Sequence, residues 1–206
     1  MNSRIQVPTT MLTTFFILIA AYLVGAIPTG VILTRLTGGE DIRKTGSGNI
    51  GATNVYRTAG RKLGIITLLG DALKGLLPVL TVSLSFPADT TLIALTAAAS
   101  FLGHCYPIYL GFKGGKGVAT ALGIFLVLSP LSVLLAVFIF AGLVWKTRYV
   151  SLGSISAAAA MPICILLLGN DTAIFTGALF ISAIIIWRHR ENIDRLIKGQ
   201  ENRFKA

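Results

Sequence analysis

Apolar runs long enough to cross a lipid bilayer recur from one end of this chain to the other. A stretch such as Ile181-Ser182-Ala183-Ile184-Ile185-Ile186-Trp187 is apolar on nearly every helical face and does not alternate. It therefore suits neither a soluble amphipathic helix nor a strand of a membrane barrel. Only 13% of the 206 residues are charged, against about 25% in soluble domains. Lipid offers no hydrogen bonds to an open backbone, so the class that remains is an all-α, polytopic integral membrane helical bundle.

The breaks between runs predict about seven transmembrane helices, over 10–36, 63–84, 91–110, 118–129, 131–146, 152–169 and 172–187. The fourth run is too short to cross about 30 Å at about 1.5 Å per residue unless it is tilted, re-entrant or joined to its neighbour. Five or six spans are the alternatives. The opening apolar run continues past Pro28 and has only Arg4 before it, so it reads as a first membrane helix rather than a cleaved leader. Charge then orients the bundle. With the N-terminus outside, the inner segments 37–62, 111–117, 147–151 and 188–206, with Arg35 and Lys146 at their edges, hold every Lys and Arg except Arg4 and Lys74. Basic residues collect on the cytoplasmic side, which predicts an N-out, C-in protein. The net charge of +10 has its account in that topology, and no nucleic-acid partner is expected. Nothing in the sequence divides the chain into more than one domain.

The polar chemistry falls at the same inner ends. In Phe112-Lys113-Gly114-Gly115-Lys116-Gly117-Val118-Ala119-Thr120 three glycines let backbone N–H groups converge on an anion, and lysine adds a mobile cation. This is no Walker A loop, because position 110 is Leu and Gly117 follows Lys116 where Ser or Thr is needed. A second loop, from Ser47 through Asn49, Gly51 and Thr53, leads to Arg57, whose planar fork suits a phosphate. Thr53 and Asn54 are also candidate helix caps.

Beyond the last run, His189 and Asn192 stand three residues apart on one helical face, whereas Lys198, Arg203 and Lys205 read as a basic tail on anionic lipid. Ser151 and Ser154 either cap a helix or donate to a phosphate. His104 either satisfies a neighbouring helix or joins the site. Asp71 and Lys74 form a self-contained pair or support Arg57. Cys105 and Cys164 are expected at opposite faces and unbridged. His104-Cys105 alone supplies too few ligands for zinc, so no metal is expected.

These segments together resemble the acyl-phosphate-dependent glycerol-3-phosphate acyltransferases of bacterial membranes. The matching residues are Ser47-Gly48-Asn49-x-Gly51-Ala52-Thr53-Asn54-x-x-Arg57, Gly70-Asp71-x-x-Lys74-Gly75 and Gly103-His104-x-x-Pro107. They continue with residues 112–120, Arg148-x-x-Ser151, and His189-Arg190-x-Asn192-Ile193-x-Arg195-Leu196-x-x-Gly199-x-Glu201. The resemblance covers about 22–201 in a single membrane-integral domain.

It implies transfer of the acyl group of a long-chain acyl phosphate to the 1-hydroxyl of sn-glycerol 3-phosphate, beside membrane lipid. The products are lysophosphatidic acid and phosphate, at an early step of phospholipid biosynthesis. An acyl phosphate is already activated, so no cofactor is expected. On this reading Ser47, Arg57, Lys116 and His189 are the catalytic set. Asn49, Thr53, Gly114, Gly115 and Gly117 bind the acyl phosphate with Ser47. Arg57, Lys116, Ser151, His189 and Asn192 hold glycerol 3-phosphate. The proton acceptor is His189 or a substrate phosphate. Transfer is direct, since no Ser-His-Asp set is apparent and both cysteines lie in apolar runs. A transporter would place broken helices near the midplane. A phosphatidyl-group transferase would cluster aspartates for a divalent metal, whereas Asp41, Asp71 and Asp194 are scattered.

Overall fold

The computed structural model describes residues 10–204. Arg4 and Lys205 lie outside the described residues. Among those described, ten α-helices succeed one another and there is no strand. The first expected span is two helices, α1 (Met11–Gly25) and α2 (Thr29–Leu36), bent by 41°. Pro28 lacks an N–H and breaks the helical ladder there. The carbonyl of Ile27 at the break receives Lys74 Nζ at 2.7 Å and the Thr29 N–H at 3.1 Å. A short helix, α3 (Ala52–Ala59), leads into the long α4 (Arg61–Ser85).

Next comes α5 (Thr90–Cys105), which stops just before Pro107, where an α conformation is disfavoured for the preceding residue. Then follow α6 (Val118–Leu128), α7 (Pro130–Thr147), α8 (Val150–Leu167), α9 (Thr172–Arg188) and α10 (Arg190–Ile197). Four of the described helices are long and apolar enough to cross a membrane: α4, α5 with the turn after it, α7 and α8. The bent pairs α1–α2 and α9–α10 raise that to six. The fourth expected span is α6, whose 11 residues reach only about 16 Å at 1.5 Å per residue.

The bundle turns apolar side chains outward as well as inward. Leu131, Leu134, Leu135 and Phe138 of α7 are exposed, while Phe101, Ile124, Phe125, Ile165 and Ile181 fill the core. Lipid tails are as apolar as leucine, so helices in this setting are held by close packing instead of by hydrophobic exclusion. Glycine supplies that closeness at two seams. Gly25 and Gly103 bring α1 and α5 together, and a methyl at Gly25 would fall 2.8 Å from the Cα of Ser100. Gly75 and Gly123 do the same for α4 and α6, where a methyl at Gly123 would fall 2.7 Å from the carbonyl carbon of Ala72.

The two ends of the bundle differ. At one, short turns are capped by side chains, with Asp89 accepting from Leu92 N at 2.9 Å and Asp171 from Ala173 N at 2.7 Å. At the other, the segments around α3, the α5–α6 loop, the α7–α8 turn and the C-terminal tail meet. Tyr56 and Phe204 rings lie 5.2 Å apart, and Phe204 N donates to Arg148 O at 2.7 Å.

The α4–α6 seam makes a direct prediction. Gly123→Leu has only the Ala72 backbone to move into and is expected to lower stability by about 1–3 kcal/mol. Gly142→Leu on α7, where an added Cβ meets nothing within 4 Å, is expected to leave stability unchanged. Thermal unfolding in detergent compares the two, and equal melting temperatures would refute the close-packing account.

Candidate active site

The loop before α3 is shaped by one buried side chain, Asn54. Its Nδ2 lies within hydrogen-bond distance of the carbonyls of Ile42, Thr45 and Asn49, and its Oδ1 accepts from Ser47 N at 2.9 Å. Asn49 Oδ1 accepts from Gly51 N at 2.9 Å. Neither Thr53 nor Asn54 caps α3, whose N-cap is Gly51 without a side-chain bond. Asn54 instead holds Ser47 and Asn49 at the lip of a cavity, with Thr53 and Arg57 beside them on α3.

The glycine–lysine loop is seated on the end of α5. The N–H groups of Gly114 and Gly115 donate to the carbonyls of Cys105 and His104, both at 3.2 Å. Their own carbonyls accept from Arg188, at 2.6 Å for Gly114 and 3.1 Å for Gly115. Gly114 and Gly115 were expected to cradle an anion with their amides, but those amides face α5 and neither residue lines the cavity. Glycine is needed there because a methyl at 114 would fall 2.6 Å from Cys105 O and one at 115 would fall 2.9 Å from His104 Cε1. Gly117 does line the cavity, in a left-handed conformation with φ 83°, and it opens α6.

Lys116 projects from this seat and donates its ammonium to Asn192 Oδ1. Asn192 Nδ2 donates to Glu201 Oε1 at 2.8 Å, and Ser151 Oγ donates to the same oxygen at 2.9 Å. Arg195 Nε pairs with Glu201 Oε2 at 2.8 Å. Burial alone would raise the Glu201 carboxyl, but hydrogen bonds from Arg195, Asn192 and Ser151 outweigh it and hold the group below the ordinary glutamate value. Burial first, and the Arg195 cation second, lower Lys116 to about 8. His189 is 4% exposed and its Nδ1 lies 2.7 Å from Ile185 O. A carbonyl only accepts, so Nδ1 carries the hydrogen, and Nε2 is left as an acceptor when the ring is neutral.

All of these groups meet in one cavity of about 420 Å³. Its mouth is lined by Ser47, Asn49, Thr53, Arg57, Lys116, Gly117, Ser151, His189 and Asn192. The deeper wall is apolar, from Leu122 and Phe125 of α6, Val133 and Val137 of α7, and Ala158 and Met161 of α8. Four helices, α3, α6, α8 and α10, begin at the mouth, and none has a side-chain cap. The starts of α3, α6 and α8 therefore bring the positive ends of helix dipoles to one space, together with Arg57 and Lys116, whereas α10 starts at His189 where α9 ends and the two poles oppose. Such a mouth attracts phosphate. The α2, α4 and α7 starts are also uncapped, but they do not open there.

Sequence reasoning assigned no role to Glu201, Arg188 or Asn202. Glu201 ends the last matching segment, and that was its only signal. Asn202 accepts from Arg57 at 3.3 Å through its carbonyl, which any residue has, so no side-chain pattern marks it. Ser154 lines the cavity and donates to Val150 O at 2.9 Å within its own helix. Asp71 and His104 reach the cavity wall as well, and both cysteines are free.

The sequence profile of the glycerol-3-phosphate acyltransferase family matches residues 15–199. A glycerol-3-phosphate acyltransferase of Syntrophotalea carbinolica is 63% identical over 196 residues, covering 95% of this chain and all of the relative. That of Geobacter sulfurreducens is 59% identical over the same length and coverage. Among solved structures, PlsY (YgiH), an integral membrane glycerol 3-phosphate acyltransferase, superposes in its glycerol 3-phosphate form with a TM-score of 0.90. It is 44% identical and the match covers 94% of this chain and 96% of that one. Its lysophosphatidic acid form gives a TM-score of 0.88. With a profile match over most of its length and relatives this similar along their whole chains, the protein belongs to the glycerol-3-phosphate acyltransferase family of integral membrane enzymes.

Proposed function

We propose that this enzyme transfers the acyl group of a long-chain acyl phosphate to the 1-hydroxyl of sn-glycerol 3-phosphate at the cytoplasmic face of a bacterial inner membrane. The observation that carries this reading is a cationic, donor-lined mouth opening directly onto an apolar wall. Such a cavity suits two phosphate groups above and one fatty chain below. The related structures described as glycerol 3-phosphate and lysophosphatidic acid forms support the same acceptor and product.

In the proposed reaction the hydroxyl oxygen of glycerol 3-phosphate attacks the acyl carbon, and the carbon–oxygen bond to phosphate breaks. Inorganic phosphate departs with the electron pair. Ser47, Asn49, Thr53 and the start of α6 at Gly117 hold the acyl phosphate and stabilise charge on the departing group. Arg57, Lys116, Ser151, His189 and Asn192 hold the acceptor, and proximity supplies much of the rate. His189 presents Nε2 to the hydroxyl proton, and a phosphate oxygen of the donor is the alternative acceptor. No acyl-enzyme is invoked.

One assay tests the whole reading. Purified protein given palmitoyl phosphate and glycerol 3-phosphate is expected to yield lysophosphatidate and phosphate one for one. Neither product, or phosphate alone, would refute it. Arg57→Lys keeps charge and loses the fork, so KM for glycerol 3-phosphate is expected to rise about tenfold, or about 1.4 kcal/mol, with an unchanged melting temperature. Wild-type kinetics in that variant would remove Arg57 from the site.

A second prediction concerns pH. Lys116 at about 8 is an ammonium below that value and neutral above it. The second ionisation of a phosphate monoester lies near about 6, so dianion and ammonium coexist between the two. The logarithm of kcat/KM for glycerol 3-phosphate, which reports the free enzyme, is expected to fall above pH 8. Lys116→Arg is expected to be slower and to lack that alkaline limb. An identical limb in the variant would assign it to another group.

A further inference from the structure

The site just described leaves a buried group of ionisable residues without a task. Asp71 and Lys74 of α4 and His104 of α5 are 2%, 5% and 3% exposed. Lys74 Nζ is 2.7 Å from Asp71 Oδ1 and 2.7 Å from Ile27 O, so the ammonium ties the carboxylate to the break between α1 and α2. That pair would be complete without a histidine. His104 Nδ1 faces Asp71 Oδ1 at 3.8 Å, beyond hydrogen-bond length, and has no hydrogen-bond partner among the described residues. An unpaired buried polar atom is expensive inside a membrane bundle, so packing alone gives poor reason for an imidazole there.

The other edge of the ring has a definite neighbour. A methyl at Gly115 would collide with His104 Nε2 and fall 2.9 Å from Cε1 and 3.1 Å from Cδ2. The imidazole therefore lies against the backbone of Gly115, one residue before Lys116. The carbonyl of His104 receives the Gly115 N–H at 3.2 Å, and Arg188 holds the Gly115 carbonyl at 3.1 Å. The loop is thus gripped through its amide and its carbonyl, and its third contact is the ring. We propose that His104, backed by the Asp71–Lys74 pair, is a positioning residue for acyl transfer. Its ring sets the height of Gly115 and with it the place of the Lys116 ammonium. The inference rests on Lys116 contacting glycerol 3-phosphate, as proposed above. His104 itself touches no substrate in this scheme.

Compensating substitutions test it. Gly115→Ala drives a methyl into the ring and is expected to lower kcat/KM for glycerol 3-phosphate about 100-fold, the scale of a misplacement of about 1 Å. His104→Ala opens a gap under the loop and is expected to lower it about tenfold or more. In the double variant the methyl occupies the vacated space, so activity is expected to recover at least tenfold over Gly115→Ala alone. KM for palmitoyl phosphate should stay within twofold throughout, a split that general unfolding would not give. Where His104→Ala does not fold, His104→Gln keeps a polar chain against Gly115. It is expected to show the same selective loss in smaller degree.

Strictly additive losses, or wild-type constants in His104→Ala or His104→Gln, would overturn the inference. So would a loss shared equally by both substrates and matched by the melting temperature. Wild-type protein without acyl transfer would overturn the reaction and this inference together. Active wild type with additive variants would overturn the inference alone.

Discussion

The seating of one loop on the end of α5 is the constraint from which the rest of the mouth follows. Two glycine amides spend their hydrogen on the last carbonyls of α5, and Arg188 of α9 closes the same two residues from the other side. A methyl at 114 would meet the carbonyl oxygen of Cys105, and one at 115 would meet the ring of His104. Once the loop is down, Lys116 reaches Asn192, Asn192 reaches Glu201, and Glu201 gathers Ser151 and Arg195. Residues remote in the chain therefore share a fixed geometry through backbone contacts made elsewhere.

The membrane supplies the second constraint. Helices that gain little by hiding from lipid must approach closely, and the α1–α5 and α4–α6 seams do so through glycine. The 420 Å³ cavity lies between α6, α7 and α8, where small side chains such as Ala121, Ala136, Ala157 and Ala158 line it. The short α6 contributes to this. It begins at the mouth, directs its uncapped N-terminus to the polar end and gives Leu122 and Phe125 to the apolar wall. One element thus contributes to both the polar mouth and the apolar wall.

The bends in the first and last spans are also productive. The 55° turn between α9 and α10 swings Asn192 and Arg195 over the mouth, and His189 sits at the turn itself. A straight continuation would have carried them away from the bundle. The tail beyond α10 then returns across the site, with Glu201 and Asn202 bonded to residues on three different helices. Burial in this partly dry space, with the Arg195 cation second, brings Lys116 to about 8, while hydrogen bonds from Arg195, Asn192 and Ser151 hold Glu201 below the ordinary glutamate value.

Much of this was legible in the residues alone. Unbroken apolar runs dictated an all-helical membrane bundle, because lipid cannot solvate an open backbone, and the spacing of glycine, lysine, arginine and histidine marked the polar end. The sequence also carried the family resemblance. That Ser47, Arg57, Lys116 and His189 share the polar end could be read from pattern, since each is a chemically distinctive residue at a break in apolar sequence. The packing of Gly114 and Gly115 on α5 was not legible, because a glycine required for anion contact and one required for packing look the same in one dimension. Asn54, Glu201 and Asn202 act through hydrogen bonds whose partners lie far away in the chain or are backbone atoms. Those partnerships, and the way one ring lies against one glycine, belong to the tertiary structure alone, because only folding decides which donor meets which acceptor.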